Sequence, residues 1–128
     1  MRKIESWLLQ ELLGKCEDES YATVVAYESG EVIFAAGDPG DYLAILLSGQ
    51  ANICSGGRVL TTIEYGAVFG EMGLIDGQPR SADAVAKSFC RVAKIRESQF
   101  ISMLEKTPYF ALSMMRILTD RLRTATST

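Results

Sequence analysis

Phe69-Gly70-Glu71-Met72-Gly73-Leu74-Ile75-Asp76-Gly77-Gln78-Pro79-Arg80-Ser81-Ala82 is the stretch that decides how this chain folds and what it could hold. It sets a glycine, a carboxylate, a short apolar turn, then a guanidinium with a hydroxyl inside one loop. That arrangement suits a small anion that also carries hydroxyls. Where a short helix opens at residues 70–74, backbone N–H groups lack intrahelical acceptors and the helix dipole favours negative charge. Arg80 can close on the same anion with a planar fork of donors. Glu71 cannot ligate an anion, since like charges repel, so its carboxylate must accept from a donor such as a sugar hydroxyl. The run therefore describes a sugar phosphate held at both ends. Taken alone, Glu71 and Arg80 also fit an ion pair across a turn, and in an empty pocket Glu71 is the expected neighbour of Arg80.

Outward from this loop the chain reads as short strands between turns. Residues 24–27 and 31–34 are β-prone and are broken at Ser29-Gly30 and again at Gly37-Asp38-Pro39-Gly40. Residues 43–47 end at Ser48-Gly49; residues 50–54 continue as strand to Ser55-Gly56-Gly57, a hairpin turn into 59–63. After the loop, 82–86 and 90–95 read as two more strands separated by Lys87-Ser88-Phe89. Strands this short and this often interrupted predict an antiparallel barrel or jelly-roll. Helices flank them. Ile4, Trp7, Leu8, Glu11 and Leu12 predict a helix over 3–14 ended by Gly14. Ser98 is expected to cap a helix carrying Phe100, Met103 and Leu104, and Thr107-Pro108 to open a last one. Over 109–123 the last helix places Leu112, Met115, Leu118 and Leu122 on one face, for core or lid packing or for a dimer seam.

The loop resembles the phosphate-binding cassette of the cyclic-nucleotide-binding domain family, which runs close to Phe-Gly-Glu-x-x-Leu followed by Pro-Arg-Ser/Thr/Ala-Ala. Phe69 to Leu74 and Pro79 to Ala82 match it without a gap and without losing a ligand-bearing residue. The resemblance extends over residues 20–106 through Tyr27-Glu28-Ser29-Gly30-Glu31-Val32-Ile33-Phe34, Gly37-Asp38, Asp41 and Ser48-Gly49. It is closest to the bacterial catabolite-activator and cyclic-nucleotide-gated channel versions. What it implies is a mainly β fold, an eight-stranded antiparallel β-roll over 20–96, with an N-terminal helix and C-terminal hinge and lid helices over 98–125. It also implies that Glu71 bonds the ribose 2′-hydroxyl, that Arg80 and Ser81 beside Ala82 hold the cyclic phosphate, and that amides from Gly70 through Met72 to Gly73 complete the cradle behind Phe69. Ile53 and Leu60-Thr61 would wall the base, and Thr124 or Thr126 of the last helix would bond it. The implied ligand is cyclic AMP in preference to cyclic GMP, with no other cofactor and no metal, and binding would move the last helix.

Size and composition bound the alternatives. At 128 residues the chain is read as one domain, residues 1–128. Thirteen basic and sixteen acidic side chains give a net charge of −3, with the basic ones scattered, which argues against direct nucleic-acid binding. No apolar run approaches the roughly 20 residues of a membrane helix. The first residues mix both charge signs without a small-residue cleavage site, so the expected location is the cytoplasm. Cys16, Cys54 and Cys90 are odd in number and far apart, as free thiols would be. The chain contains no histidine, which removes histidine-based metal, haem and triad chemistry. The expected function is a non-enzymatic sensory module. Its partners would be a cyclic nucleotide and either a second copy through the C-terminal helix or an effector domain outside the chain. The competing readings are a ligand-free β-roll scaffold and a carboxylate-based hydrolase or isomerase of sugar phosphates.

Overall fold

The structure is a computed structural model that describes residues 3–15 and 22–126, with the side chains of 12–15, 72, 75 and 124–126 left undescribed. Its elements run α1 (Ser6–Lys15), β1 (Thr23–Tyr27), β2 (Val32–Phe34), β3 (Tyr42–Ser48), β4 (Ala51–Ser55), β5 (Arg58–Ile63), β6 (Val68–Phe69), α2 (Glu71–Asp76), β7 (Asp83–Ala86), β8 (Cys90–Arg96), α3 (Glu97–Lys106) and α4 (Pro108–Thr126). The strands form two four-stranded antiparallel sheets, ordered β1-β8-β3-β6 and β2-β7-β4-β5. This is the β-roll that the resemblance implied.

Alternation along β3 and β8 shows why the first sheet is apolar on both faces. Leu43, Ile45 and Leu47 join Ala93 and Ile95 under the helices, packed with Leu8, Leu9, Met103, Phe110, Met114 and Ile117. Ala44 and Leu46 join Cys90 and Val92 in a second core, against Ile33, Phe34, Ala51, Phe69 and Ala84. The order of layers is therefore helices, first sheet, second sheet. A strand buried on both faces must read as a continuous apolar run, and β3 does.

Several boundaries differ from the sequence expectation. The Ile4 N–H donates to Gly66 O and Lys3 bridges Ala67, so this segment extends the sheet edge and α1 starts only at Ser6. Gly14 does not end α1, which continues to Lys15. Trp7 is exposed on α1, where its ring lies 4.9 Å from Tyr109 on α4. Ser98 does not cap α3; β8 runs straight to Arg96, whose N–H donates to Gln99 Oε1 at 2.9 Å, and the helix begins at Glu97. Pro108 opens α4 as expected. The buried face of α4 is Phe110, Ser113, Met114 and Ile117, whereas Leu112, Met115 and Leu122 are exposed. The helix carries apolar side chains on two faces, and periodicity alone does not say which one meets the sheet. Cys16 lies outside the described residues; Cys54 and Cys90 are free thiols.

Candidate functional site

The cassette folds as a two-residue strand, a short helix and a return loop between β6 and β7. Both ends of α2 are glycine in the left-handed region, Gly70 at φ 74 and Gly77 at φ 72, which lets the chain turn sharply into and out of six helical residues. Gly70 has a second constraint, because a Cβ there would lie 2.5 Å from Arg80 Nη1. On the far side of α2, Gly73 meets Gly40 so closely that a Cβ on either would fall within 2.7 Å of the other's Cα.

The glycine turn after β2 does more than connect strands. Arg80 N–H donates to Asp38 O at 2.9 Å and Gly37 N–H donates to Arg80 O at 2.8 Å. That pairing fixes the Arg80 backbone, and the side chain then enters the roll, 5% exposed. Its guanidinium lies over two rings, 4.3 Å from the centroid of Phe34 and 4.6 Å from that of Tyr42. Nη1 donates to Gly70 O and Nη2 to Tyr42 O, each at 2.5 Å. The buried Nε has no acceptor among the described residues. Of five guanidinium N–H groups, three are therefore uncommitted.

Glu71 takes its ion-pair partner from α4 and not from Arg80, the neighbour that the sequence suggested. It is 1% exposed and its Oε1 is ion-paired with Nη1 of Arg121 on α4, without a hydrogen bond of regular geometry to that oxygen. Arg121 Nη2 donates to Val68 O at 2.5 Å. Burial lowers the Arg121 pKa below that of an ordinary guanidinium.

These groups line one pocket of about 430 Å³, bounded by Phe34, Ile53, Phe69, Gly70, Glu71, Gly73, Asp76, Gln78, Pro79, Arg80, Ser81, Ala82 and Arg121. Ile53 of β4 gives it an apolar side and Ser81 stands exposed on its lining. Leu60 and Thr61 lie on β5 outside the lining; Thr61 is the register partner of Ile53, and Leu60 is 59% exposed. Met72 contributes backbone to α2, and its side chain is outside the described residues, as are those of Thr124 and Thr126. Phe34 and Arg121 in the lining, and Tyr42 against the Arg80 guanidinium, are among the residues that sequence reasoning did not assign to the site. Arg121 had a signal: it continues the buried spacing Phe110, Met114, Ile117 of α4, a cation on an apolar face.

A two-sheet roll with a buried arginine presented by a glycine-bounded loop defines a ligand-binding β-roll domain. The cyclic nucleotide-binding domain model matches residues 24–107, and the chain belongs to that family. Over 111 residues it is 32% identical to the Cyclic AMP receptor protein of Thermus thermophilus, covering 83% of this chain and 51% of that protein. Over 82 residues it is 38% identical to the cAMP-dependent protein kinase regulatory subunit of Aspergillus niger, covering 62% of this chain and 20% of that protein. The crystal structure of the Thermus thermophilus catabolite activator protein is similar with a TM-score of 0.76 at 32% identity, over 83% of this chain and 52% of that one. The chain spans about half or less of the length of these relatives.

Proposed function

We propose that this chain is a non-enzymatic, cytoplasmic sensory module that binds a cyclic nucleotide, cyclic AMP in preference to cyclic GMP, and couples binding to movement of α4. The observation that carries this reading is Arg80: a buried cation with three unspent N–H groups, fixed by a backbone turn and lining an open pocket that the buried carboxylate of Glu71 also lines. In this reading Arg80 and Ser81, with Ala82 and the amides of residues 70–73, hold the ring phosphate. Glu71 accepts from the ribose 2′-hydroxyl. Phe69 and Ile53 give the sugar and base an apolar wall, Leu60 and Thr61 standing outside it on β5, and Thr124 is the proposed polar partner of the base. The open pocket and the uncommitted Nε–H of Arg80 speak against a roll that has lost its ligand. The two relatives described above are named for cyclic AMP.

The exposed stripe of Leu112, Met115 and Leu122 supports a homodimer seam along α4, with an effector domain outside the chain as the other output. Among the described residues no helix is long and apolar enough to cross a membrane. Calorimetric titration with cyclic AMP, cyclic GMP and 5′-AMP tests the reading. Tight binding of the cyclic nucleotides, strongest for cyclic AMP, with all nucleotide recovered unchanged, is the expected result. Equal binding of 5′-AMP, or consumption of the ligand, overturns it.

A further inference from the structure

Arg80 shares the ring of Tyr42 with a second cation. Lys94, half-buried on β8, holds its Nζ 4.7 Å from the centroid of that ring and 5.6 Å from the centroid of Tyr27. Register explains the meeting. Lys94 pairs with Ala44 and Tyr42 with Arg96, so Lys94 follows Cys90 and Val92 on the face of β8 turned to the second sheet, diagonal to Tyr42. The Arg80 Cζ lies 4.6 Å from the same Tyr42 centroid, and Nη2 donates to Tyr42 O. Neither Lys94 nor Arg80 is ion-paired among the described residues: Glu71 is taken by Arg121 and Asp41 by Arg96. A ring quadrupole attracts a cation but does not neutralise its charge. Sharing one ring places the two positive groups no more than about 9 Å apart, close enough for like charges in a partly buried setting to repel. An anion in the pocket offsets that repulsion, and an uncharged occupant does not.

We propose that Lys94 is a positioning residue for the anionic end of the ligand: it braces Tyr42 against the Arg80 guanidinium and adds positive charge that the ligand's phosphate offsets. Lys94 stands outside the pocket lining, so it acts through Tyr42 and Arg80 and not by touching the ligand. The inference rests on the cyclic-nucleotide reading above. It assigns part of the affinity for the phosphate to a strand residue outside the cassette, and it gives that part the signature of a charge, which salt weakens.

The test compares the full chain with Lys94→Met and Lys94→Arg by calorimetric titration of cyclic AMP at low and high salt, with thermal melts to show that each variant is folded. Methionine keeps the length of the side chain and removes the charge. In Lys94→Met the affinity falls about three- to tenfold at about 50 mM salt, and the deficit shrinks to less than about twofold at about 500 mM. Lys94→Arg, which keeps the charge and can lie on an aromatic face, stays within about twofold of the unsubstituted chain at both salt levels. The unsubstituted chain provides a measurement that needs no variant: its own affinity for cyclic AMP declines as salt rises. An undiminished affinity in Lys94→Met, a deficit that salt does not change, a Lys94→Arg variant as weak as Lys94→Met, or an unsubstituted chain indifferent to salt overturns the role. Failure of the unsubstituted chain to bind cyclic AMP at either salt level is a different result: it removes the cyclic-nucleotide reading itself, and this inference with it.

Discussion

Arg80 is held before any ligand arrives. Its backbone is clamped by the turn at Gly37 and Asp38, its plane lies over Phe34 and Tyr42, and two of its donors are engaged by carbonyls. A side chain fixed in this way loses little further freedom on binding, so its contact with an anion is realised nearly in full. Arg80→Ala is expected to cost about 2–5 kcal/mol of nucleotide binding, because the ligand's charge is left unpaired. The same change leaves Gly70 O and Tyr42 O without their donor and lowers folding stability by about 1–3 kcal/mol, short of unfolding the domain. Calorimetry on the folded variant, with its thermal transition measured in parallel, checks both halves; unchanged affinity contradicts the role of Arg80.

At the level of elements, α2 is placed by a contact without side chains. Gly73 on the helix and Gly40 after the β2 turn approach backbone to backbone, and neither has room for a methyl group. Gly73→Ala must push α2 away from that loop, and the expected result is a loss of about 1–3 kcal/mol of stability with a weakened ligand site, read from urea unfolding and from titration. A variant as stable as the parent would show that the loop yields. The turn at residues 37–40 was legible in the sequence as a turn, but its task of supporting the cassette was not, because pairing between Asp38 and Arg80 is a property of the folded register. The cassette was legible because its members are contiguous. Arg121 escaped for the opposite reason: it lies far along the chain with no motif around it, on a helix whose two apolar faces compete. The choice of Leu112, Met115, Leu118 and Leu122 as one face was sound in period, yet the sheet takes the face of Phe110, Met114 and Ile117. Strand positions were recovered more fully than helix starts. Alternation and glycine turns mark strands locally, whereas the first turns of α1 and α3 depend on whether Ile4 and Arg96 are already engaged by the sheet.

For the whole molecule, three layers divide the work: the outer sheet carries the pocket wall, the central sheet is buried on both faces, and the helices close the other side. Tyr27 and Cys90 are register partners in the core between the sheets. Burial raises the Cys90 thiol above its ordinary 9.0; burial first, then the neighbouring Cys90 and Glu31, raises the Tyr27 phenol above 10.0. The folded state therefore keeps these protons to higher pH than the unfolded chain does. Their contribution is complete below the unfolded values and declines as pH rises through them, because the unfolded state then binds fewer protons. The urea midpoint is expected to be steady near about pH 8 and to fall by about pH 10.5, with Cys90→Ala removing the earlier part of the fall. A midpoint that rises over this interval contradicts the assignment. The layering has one more consequence, at the seam where α1 leans on α4. The chain has a single tryptophan, and Trp7 packs there at a tilt against Tyr109, half open to water. Tryptophan emission from the unlabelled protein thus originates at the joint between its first and last helices, and any tilt of α4 would change both the quenching and the wetting of that indole, so its emission is an intrinsic optical gauge by which the proposed movement can be read.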